Sequence, residues 1–231
     1  MKKGNLIVLT GSGISAESGL RTFRDSDGLW ESHKIEDVAT PQAWSKDMDL
    51  VLEFYNQRRT QLAEVSPNSA HLALAELEES WNVTVITQNV DDLHERAGST
   101  DILHLHGELT KVRSAVNKDY IEDIGYRKLY RGELCPSGHQ LRPHIVWFGE
   151  AVPMMDKAHK VANKADFMLV IGTSLNVYPA AGLIHSAPPG CEILLVDPDP
   201  LMKGFEGGRL KVINKKATSG MKLVAQYLLD Y

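Results

Sequence analysis

Apolar residues along this chain gather into short runs rich in branched side chains: Leu6–Thr10, Val83–Thr87, Phe167–Ile171, Glu192–Val196 and Leu210–Ile213. Runs this short and this apolar fit strands buried on both faces. Between most of them the pattern turns helical. His71–Glu79 (HLALAELEE) sets Leu72, Leu74, Ala75 and Leu77 against outward acids. Met154–Lys164 fits a helix ahead of the third strand. Ala217–Leu229 places Met221, Val224, Ala225 and Leu228 on one face. Strands separated by helices predict an α/β fold: a parallel sheet with right-handed crossovers and helices on both faces.

Ligands of such sheets bind outside the carboxyl ends of the strands. The first run is followed by a glycine turn, the second by Gln88-Asn89-Val90-Asp91-Asp92, the third by Gly172-Thr173-Ser174 and the fourth by Asp197-Pro198-Asp199. Turn chemistry accounts for Asn, Asp, Gly and Pro here. It accounts less well for Gln88 and the Gly-Thr-Ser triplet. Polar groups at four exits on one edge favour a polar ligand site. The first exit, Leu9–Asp25, carries Gly11, Gly13 and Gly19 in a G-x-G-x-x-x-x-x-G spacing. That is not the G-x-G-x-x-G of ordinary dinucleotide folds, so it reads either as a phosphate turn on a helix N-terminus or as a plain tight turn.

Two segments break the rhythm. Residues about 27–66 hold Trp30, Trp44, Phe54 and Tyr55, and Met48–Leu62 reads as one helix with Leu50, Val51, Phe54 and Leu62 on its apolar face. Residues about 107–150 run through basic and polar stretches into CPSGHQLRPHIVWFGE. With 231 residues, the expected organisation is a core of about 1–26, 67–106 and 151–231 and a smaller lobe from the two insertions. A net charge of -5 argues against recruiting nucleic acid by bulk electrostatics. Cys135 and Cys191 cannot make a disulfide framework and suit a reducing compartment. No run reaches membrane-spanning or signal length, so a cytoplasmic protein without membrane partners is expected.

GSGISAESGLRTFRD, TQNVDDLHERAG, LHG at Leu105–Gly107, LRPHIVWFGE at Leu141–Glu150 and GTSLNVYPA at Gly172–Ala180 occur in that order. The set resembles the sirtuins, NAD-dependent protein lysine deacylases, over essentially the whole chain. The resemblance implies a Rossmann-like core with NAD as cofactor and an acylated-lysine protein or peptide entering between core and lobe. It implies NAD contacts from Gly11, Ser12, Gly13, Ile14, Phe23, Arg24, Trp30, Gln88, Asn89, Val90, Asp91, Gly172, Thr173, Ser174, Asp197, Pro198, Asp199 and Ala217. His106 would be the general base, with Asn89 and Asp91 beside it. In the implied reaction the acyl oxygen attacks the ribose and nicotinamide leaves. His106 then activates a ribose hydroxyl, and O-acyl-ADP-ribose results. Val146, Trp147, Phe148 and Gly149 would form the acyl-lysine tunnel. His71, His104, His159 and His185 read as structural, and His94 and His144 are given no chemistry. The chain departs from the family's usual pattern with Asp197 in place of Asn and Arg21 in place of Pro.

Tyr55 and Arg58, three residues apart on the expected helix, share a face. A phenol and a guanidinium together make a carboxylate receptor, and they match the Y-x-x-R of sirtuins that remove succinyl and malonyl groups. Glutaryl is a further candidate. Arg59, next to them, is expected to face solvent. The family's two C-x-x-C zinc pairs are missing: Cys135 and His139 supply at most half a closed site. No zinc is expected, and packing through Ile121, Ile124, Tyr126, Leu129 and Tyr130 is expected to hold the lobe instead. Plain deacetylation, mono-ADP-ribosyl transfer, a non-catalytic nucleotide sensor and, less readily, a hydride-transferring dehydrogenase remain the competing readings.

Overall fold

The computed structural model describes residues 2–21, 29–30, 33–175, 178–200 and 209–230. Its strands are β1 (Asn5–Thr10), β2 (Leu29–Trp30), β3 (His33–Lys34), β4 (Asn82–Thr87), β5 (Ile102–His104), β6 (Gly107–Ser114), β7 (Ile121–Asp123), β8 (Leu141–Ile145), β9 (Phe167–Ile171), β10 (Glu192–Val196) and β11 (Leu210–Ile213). Its α-helices are α1 (Ile35–Val38), α2 (Pro41–Lys46), α3 (Met48–Glu64), α4 (Ser69–Glu76), α5 (Leu93–Ala97), α6 (Met155–Ala162) and α7 (Ala217–Asp230).

The core is a six-stranded sheet in the order β11-β10-β9-β1-β4-β5, with every neighbouring pair parallel. Alternation along β1 shows how both faces are covered. Ile7 and Leu9 pack with Ala158 and Ala162 of α6, whereas Leu6 and Val8 pack with Leu74 of α4 and Val224 of α7. This is the Rossmann-like arrangement expected. The expected face of α4 shifts, however. Leu72 is exposed, and Ala70, His71, Leu74 and Leu77 form the buried stripe.

Register sets the site. Thr10 lies abreast of Thr87 and Ile171, and Ile171 abreast of Val196, so four strands end level. β5 adds a fifth, with His104 opposite Thr87 and His106 two residues beyond. From β1 the chain moves outward to β4 and β5 on one side and to β9, β10 and β11 on the other. The reversal opens a crevice between β1 and β9.

A smaller body is built from α1–α3 and the antiparallel sheet β7-β6-β8. Helix α3 is its spine, capped by Asp47, whose side chain accepts from the Leu50 N–H. Its interior differs from the one expected. Ile121, Tyr126 and Tyr130 are exposed, and Leu52, Val112, Leu129, Cys135 and Leu141 pack together, with Ile124 at the margin. The chain around Leu129 is held by Asn56, which accepts from the Leu129 N–H and donates to the Leu129 carbonyl, both at 2.8 Å.

Arg59 also corrects expectation. It is wholly buried and does not face solvent. Its Nε donates to the Leu109 carbonyl at 2.7 Å and its Nη1 to Asn56 Oδ1 at 3.0 Å. Helix α3 keeps only one exposed stripe, along Asp49, Glu53, Gln57, Thr60 and Glu64, and Arg59 lies off it. A backbone carbonyl and an amide oxygen receive protons from Nε and Nη1, which offsets part of the cost of burying the guanidinium. Burial lowers its pKa to about 10, still protonated at neutral pH.

Candidate functional site

A cleft of about 910 Å³ runs along the level strand ends and under the lobe. Twenty residues expected from the sequence line it. They are Gly11, Ser12, Gly13, Gln88, Asn89, Val90, Asp91, His106, Gly172, Thr173, Ser174, Asp197, Pro198 and Ala217 from the core side, and Tyr55, Arg58, Val146, Trp147, Phe148 and Gly149 from the lobe side.

The glycine turn is shaped by contact with the β9 exit. The Gly13 N–H donates to the Gly172 carbonyl at 2.8 Å. A Cβ on Gly13 would lie 2.7 Å from that oxygen. Gly172 has φ +68, and a Cβ there would meet the Ile14 nitrogen at 2.2 Å. These glycines let two loops touch backbone to backbone. The expected helix N-terminus is replaced by two single 3-10 turns, Ser12–Ile14 and Ala16–Ser18. The N–H groups of Gly11, Gly13, Ile14 and Ser15 are already donated to carbonyls. The turn therefore cannot offer those four donors to an anion without rearranging. Ile14 is also a correction: its side chain is fully buried in the core rather than on the cleft. Asp199 is off the cleft as well, and its N–H donates to Asp197 Oδ1 at 2.9 Å. Phe23 and Arg24 lie outside the described residues, as does the side chain of Trp30.

The turn after β4 is held from several sides. Its start is fixed where the Asn89 N–H donates to Thr87 Oγ1 at 3.0 Å. The Asn89 amide donates to the Gly11 carbonyl and to Ser15 Oγ, both at 3.2 Å. Ser15 in turn donates to Asp91 Oδ2 at 3.0 Å. Burial pushes the Asp91 carboxyl above its usual range, and the Leu93 N–H and the Ser15 hydroxyl pull it part of the way back. Gln88 reaches the far loop, donating to Thr173 Oγ1 at 3.3 Å.

His106 faces the cleft and bonds through Nδ1 to the Gln88 carbonyl at 2.9 Å. A carbonyl only accepts, so Nδ1 carries the proton and Nε2 is the basic atom. Burial holds its pKa below the ordinary imidazole value, offset in part by that carbonyl. The ring is therefore neutral at neutral pH. The Val146 N–H donates to the His106 carbonyl at 2.9 Å, which brings the expected tunnel segment beside the base.

On the lobe side Tyr55 is fully buried and Arg58 nearly so. Trp147 Nε1 donates to the Tyr55 hydroxyl oxygen at 3.0 Å, and the Arg58 guanidinium lies 5.9 Å from the Phe54 ring centre. Burial raises the Tyr55 pKa strongly, so the phenol keeps its proton. Leu62, Leu109 and Ile145 add apolar lining to the same cleft.

Several cleft residues had no signal of their own in the sequence. Ser15 and Glu17 sit in turns where small and acidic residues are commonplace. Glu17 ties the glycine turn to α7, accepting from the Thr218 N–H at 3.0 Å and hydroxyl at 2.9 Å. Lys216 lines the cleft just ahead of α7. His71 and His94 are buried ring to ring at 5.0 Å, and His104 bridges Glu95 at 2.7 Å and the Asn89 carbonyl at 3.2 Å. Among the described residues, His, Cys, Asp and Glu groups close enough to share one ion comprise Glu95, His104 and Glu108, with no cysteine. Cys135 and Cys191 lie in different apolar clusters. No described helix is long and apolar enough to cross a membrane.

Comparison with known proteins agrees with this geometry. Residues 11–179 match the Sir2 family. A Bacteroides thetaiotaomicron protein named NAD-dependent protein deacylase is 53% identical over 230 residues, covering 97% of this chain and 98% of that one. A Helicobacter pylori protein of the same name is 56% identical over 229 residues, covering 98% of each. Among solved structures, a Sir2 homologue in complex with NAD superposes with a TM-score of 0.85 at 38% identity, over 98% of this chain and 90% of that one.

Proposed function

We propose that this chain, which belongs to the Sir2 family, is an NAD-dependent protein-lysine deacylase that prefers acyl groups ending in a carboxylate, succinyl or malonyl and by extension glutaryl. The observation carrying the reading is the cleft itself. One continuous space holds a neutral imidazole, the Asn89–Ser15–Asp91 network and the Tyr55–Arg58 pair. Its volume lies within the range of cofactor and ligand sites. In this reading the core, about 1–26, 67–106 and 151–231, holds the dinucleotide. The lobe, about 27–66 and 107–150, holds the acyl chain of a lysine on a protein or peptide.

NAD fits the polar groups at the strand exits, and when bound it supplies the ribose carbon that receives the acyl oxygen and the nicotinamide that departs. The chain's own residues do the rest. Asn89 and Asp91, immobilised by Ser15, hold the nicotinamide end. Asp197, 1% exposed with one carboxylate oxygen fixed by the Asp199 N–H, accepts from ribose hydroxyls at the adenosine end. His106 Nε2 takes a proton from a ribose hydroxyl and needs no prior deprotonation, because the ring is already neutral. The apolar wall of Leu109, Ile145 and Trp147 excludes water and aligns the acyl carbonyl. At the end of that path Arg58 pairs with the acyl carboxylate and Tyr55 adds a neutral hydrogen bond. A cytoplasmic location is part of the same reading, supported by the two-cysteine composition, which suits a reducing compartment.

NAD-dependent nicotinamide release over matched acetyl-, succinyl-, malonyl- and glutaryl-lysine peptides tests the reading. Succinyl and malonyl rates should exceed the acetyl rate, and Arg58→Met should remove the difference. An acetyl rate equal to or above the others, or an Arg58→Met enzyme that keeps the preference, would sink the acyl assignment. ADP-ribosylated protein in place of O-acyl-ADP-ribose would sink the deacylase reading itself.

A further inference from the structure

Trp147 is 2% exposed and is gripped at three points. Its backbone N–H donates to Glu150 Oε2 at 2.8 Å. Its ring carries the Arg142 guanidinium 3.3 Å above the centre. Its Nε1 donates to the Tyr55 hydroxyl. The first two grips belong to one unit. Arg142 binds Glu150 through both carboxylate oxygens, Nη1 to Oε1 at 2.9 Å and Nη2 to Oε2 at 3.0 Å, while Nη2 also reaches the Ile145 carbonyl at 2.9 Å. Arg113 donates to the same carboxylate from the neighbouring strand at 3.1 and 3.2 Å. Burial would raise the Glu150 pKa, but Arg142, the Trp147 N–H and Arg113 outweigh it and keep the group ionised.

The consequence runs along one line. An indole N–H is only a donor, so the Tyr55 oxygen is the acceptor in that bond. The phenol's own proton is therefore donated elsewhere than to Trp147, and Tyr55 and Arg58 line the same cleft. How the indole sits decides where that hydroxyl points. How the indole sits is decided in turn by a guanidinium stacked on its face and a carboxylate holding its backbone. A fork paired bidentately on one edge and stacked on its face has a single orientation, which a lysine ammonium cannot reproduce.

We propose that Arg142 and Glu150 are specificity-positioning residues. They seat Trp147, Trp147 sets the Tyr55 hydroxyl, and through it they tune the reading of an acyl carboxylate, Arg142 from behind the cleft and Glu150 from its lining. This inference rests on the acidic-acyl assignment above, and the experiment separates the two.

The test compares wild type, Arg142→Lys and Glu150→Gln in the full chain. The readouts are kcat and KM for succinyl- and acetyl-lysine peptides and KM for NAD. Arg142→Lys keeps a positive charge but loses the flat stack. Glu150→Gln keeps the shape and an acceptor for the Trp147 N–H but loses the charge that orders Arg142. Each should lower the succinyl-to-acetyl ratio of kcat/KM roughly tenfold, mainly through the succinyl KM, as expected for one misplaced hydrogen bond. KM for NAD should stay within about twofold, on the same bookkeeping. In a Tyr55→Phe background the same substitutions should change the ratio no further, because the hydroxyl they position is gone.

A parallel fall for both peptides would make the clamp merely structural and overturn the proposal. An unchanged ratio, or an equal drop in the Tyr55→Phe background, would also overturn it. If wild type shows no succinyl preference, or Arg58→Met keeps it, the acyl assignment fails and takes this inference with it. If Arg58→Met abolishes the preference and neither clamp variant alters it, the inference alone fails. Glu150→Gln is nearly isosteric, so it still decides the matter if Arg142→Lys folds poorly.

Discussion

The His106 imidazole donates Nδ1–H to the Gln88 carbonyl at 2.9 Å, which commits Nε2 to face the chemistry as a base. The active form is the neutral ring, which exists above its folded pKa. Burial places that pKa below the ordinary value of 6.5. The acid limb of kcat/KM should therefore lie below pH 6.5, and activity should hold through neutral pH. His106→Ala should lower deacylation by about 10²–10⁴-fold. A pH–rate profile on the wild type checks the first point, and a limb at or above the free imidazole value would count against His106 as the titrating base.

Ser15 joins two candidate site residues, accepting from Asn89 and donating to Asp91. Ser15→Ala takes a hydrogen bond from a buried carboxylate, where such bonds are worth about 1.5–3 kcal/mol. The bond also lowers the Asp91 pKa, so its loss should raise it further. Turnover should fall at least tenfold at pH 7, a step of about 1.4 kcal/mol, and the pH profile should move toward higher pH, the direction in which losing the Ser15 bond shifts Asp91. A loss that is uniform across pH would show that Ser15 acts only on loop geometry.

What the sequence announced and what it concealed divide along physical lines. The long strands were legible because β1, β9 and β10 each place unbroken apolar residues at the centre of the sheet, and β4 breaks its run only at Thr84. β5 was not, since three residues hold too little pattern to separate a strand from a turn, although it is what delivers His106 to the edge. The strand exits were legible as polar clusters, but the use of the glycine turn was not. Its N–H groups are spent on Gly172 and on its own 3-10 turns, a pairing between residues some 160 apart in sequence. Arg58 and Arg59 are adjacent in the sequence and carry identical chemistry. Only the closeness of β6 to α3 buries Arg59 against Leu109. The role of Glu150, the last residue of LRPHIVWFGE, is hidden in the sequence because the two arginines it joins lie on different strands.

The lobe's stability should depend on Asn56. Asn56→Ala would strand the N–H and carbonyl of Leu129 and remove the acceptor of Arg59 Nη1. Buried groups left without partners cost about 1–3 kcal/mol each, so a loss of roughly 2–4 kcal/mol is expected after partial relaxation. For a chain of this size that lowers the melting temperature by about 5–15 °C. Arg59→Met, which trades the buried charge for a flexible apolar chain, should cost less, because only the Leu109 carbonyl and one Asn56 bond lose a partner. Thermal unfolding of both variants settles the order. If Asn56→Ala melts like wild type, the lobe is held by its apolar cluster alone.

Acid should unfold the protein through the buried His71–His94 pair. Folded His71 does not take a proton until the pH reaches about 4, because burial disfavours the charged ring, and burial holds His94 well below its ordinary value too. Unfolded, both take protons near pH 6.5. Between those limits the unfolded chain binds more protons, so this contribution to stability is complete above pH 6.5 and drains away as the pH falls toward 4. His71 alone accounts for roughly 3 kcal/mol of that loss, and His94 adds to it. The Asn68 N–H donates to His71 Nδ1 at 3.3 Å, a capping-box bond that glutamine can also make. His71→Gln should therefore be close to wild type at pH 5 and lose stability less steeply on acidification. Urea unfolding at pH 7.5, 6 and 5 measures the slopes. Identical slopes for wild type and variant would mean that His71 is not buried as a neutral ring, and the acid sensitivity would have to come from the carboxylates.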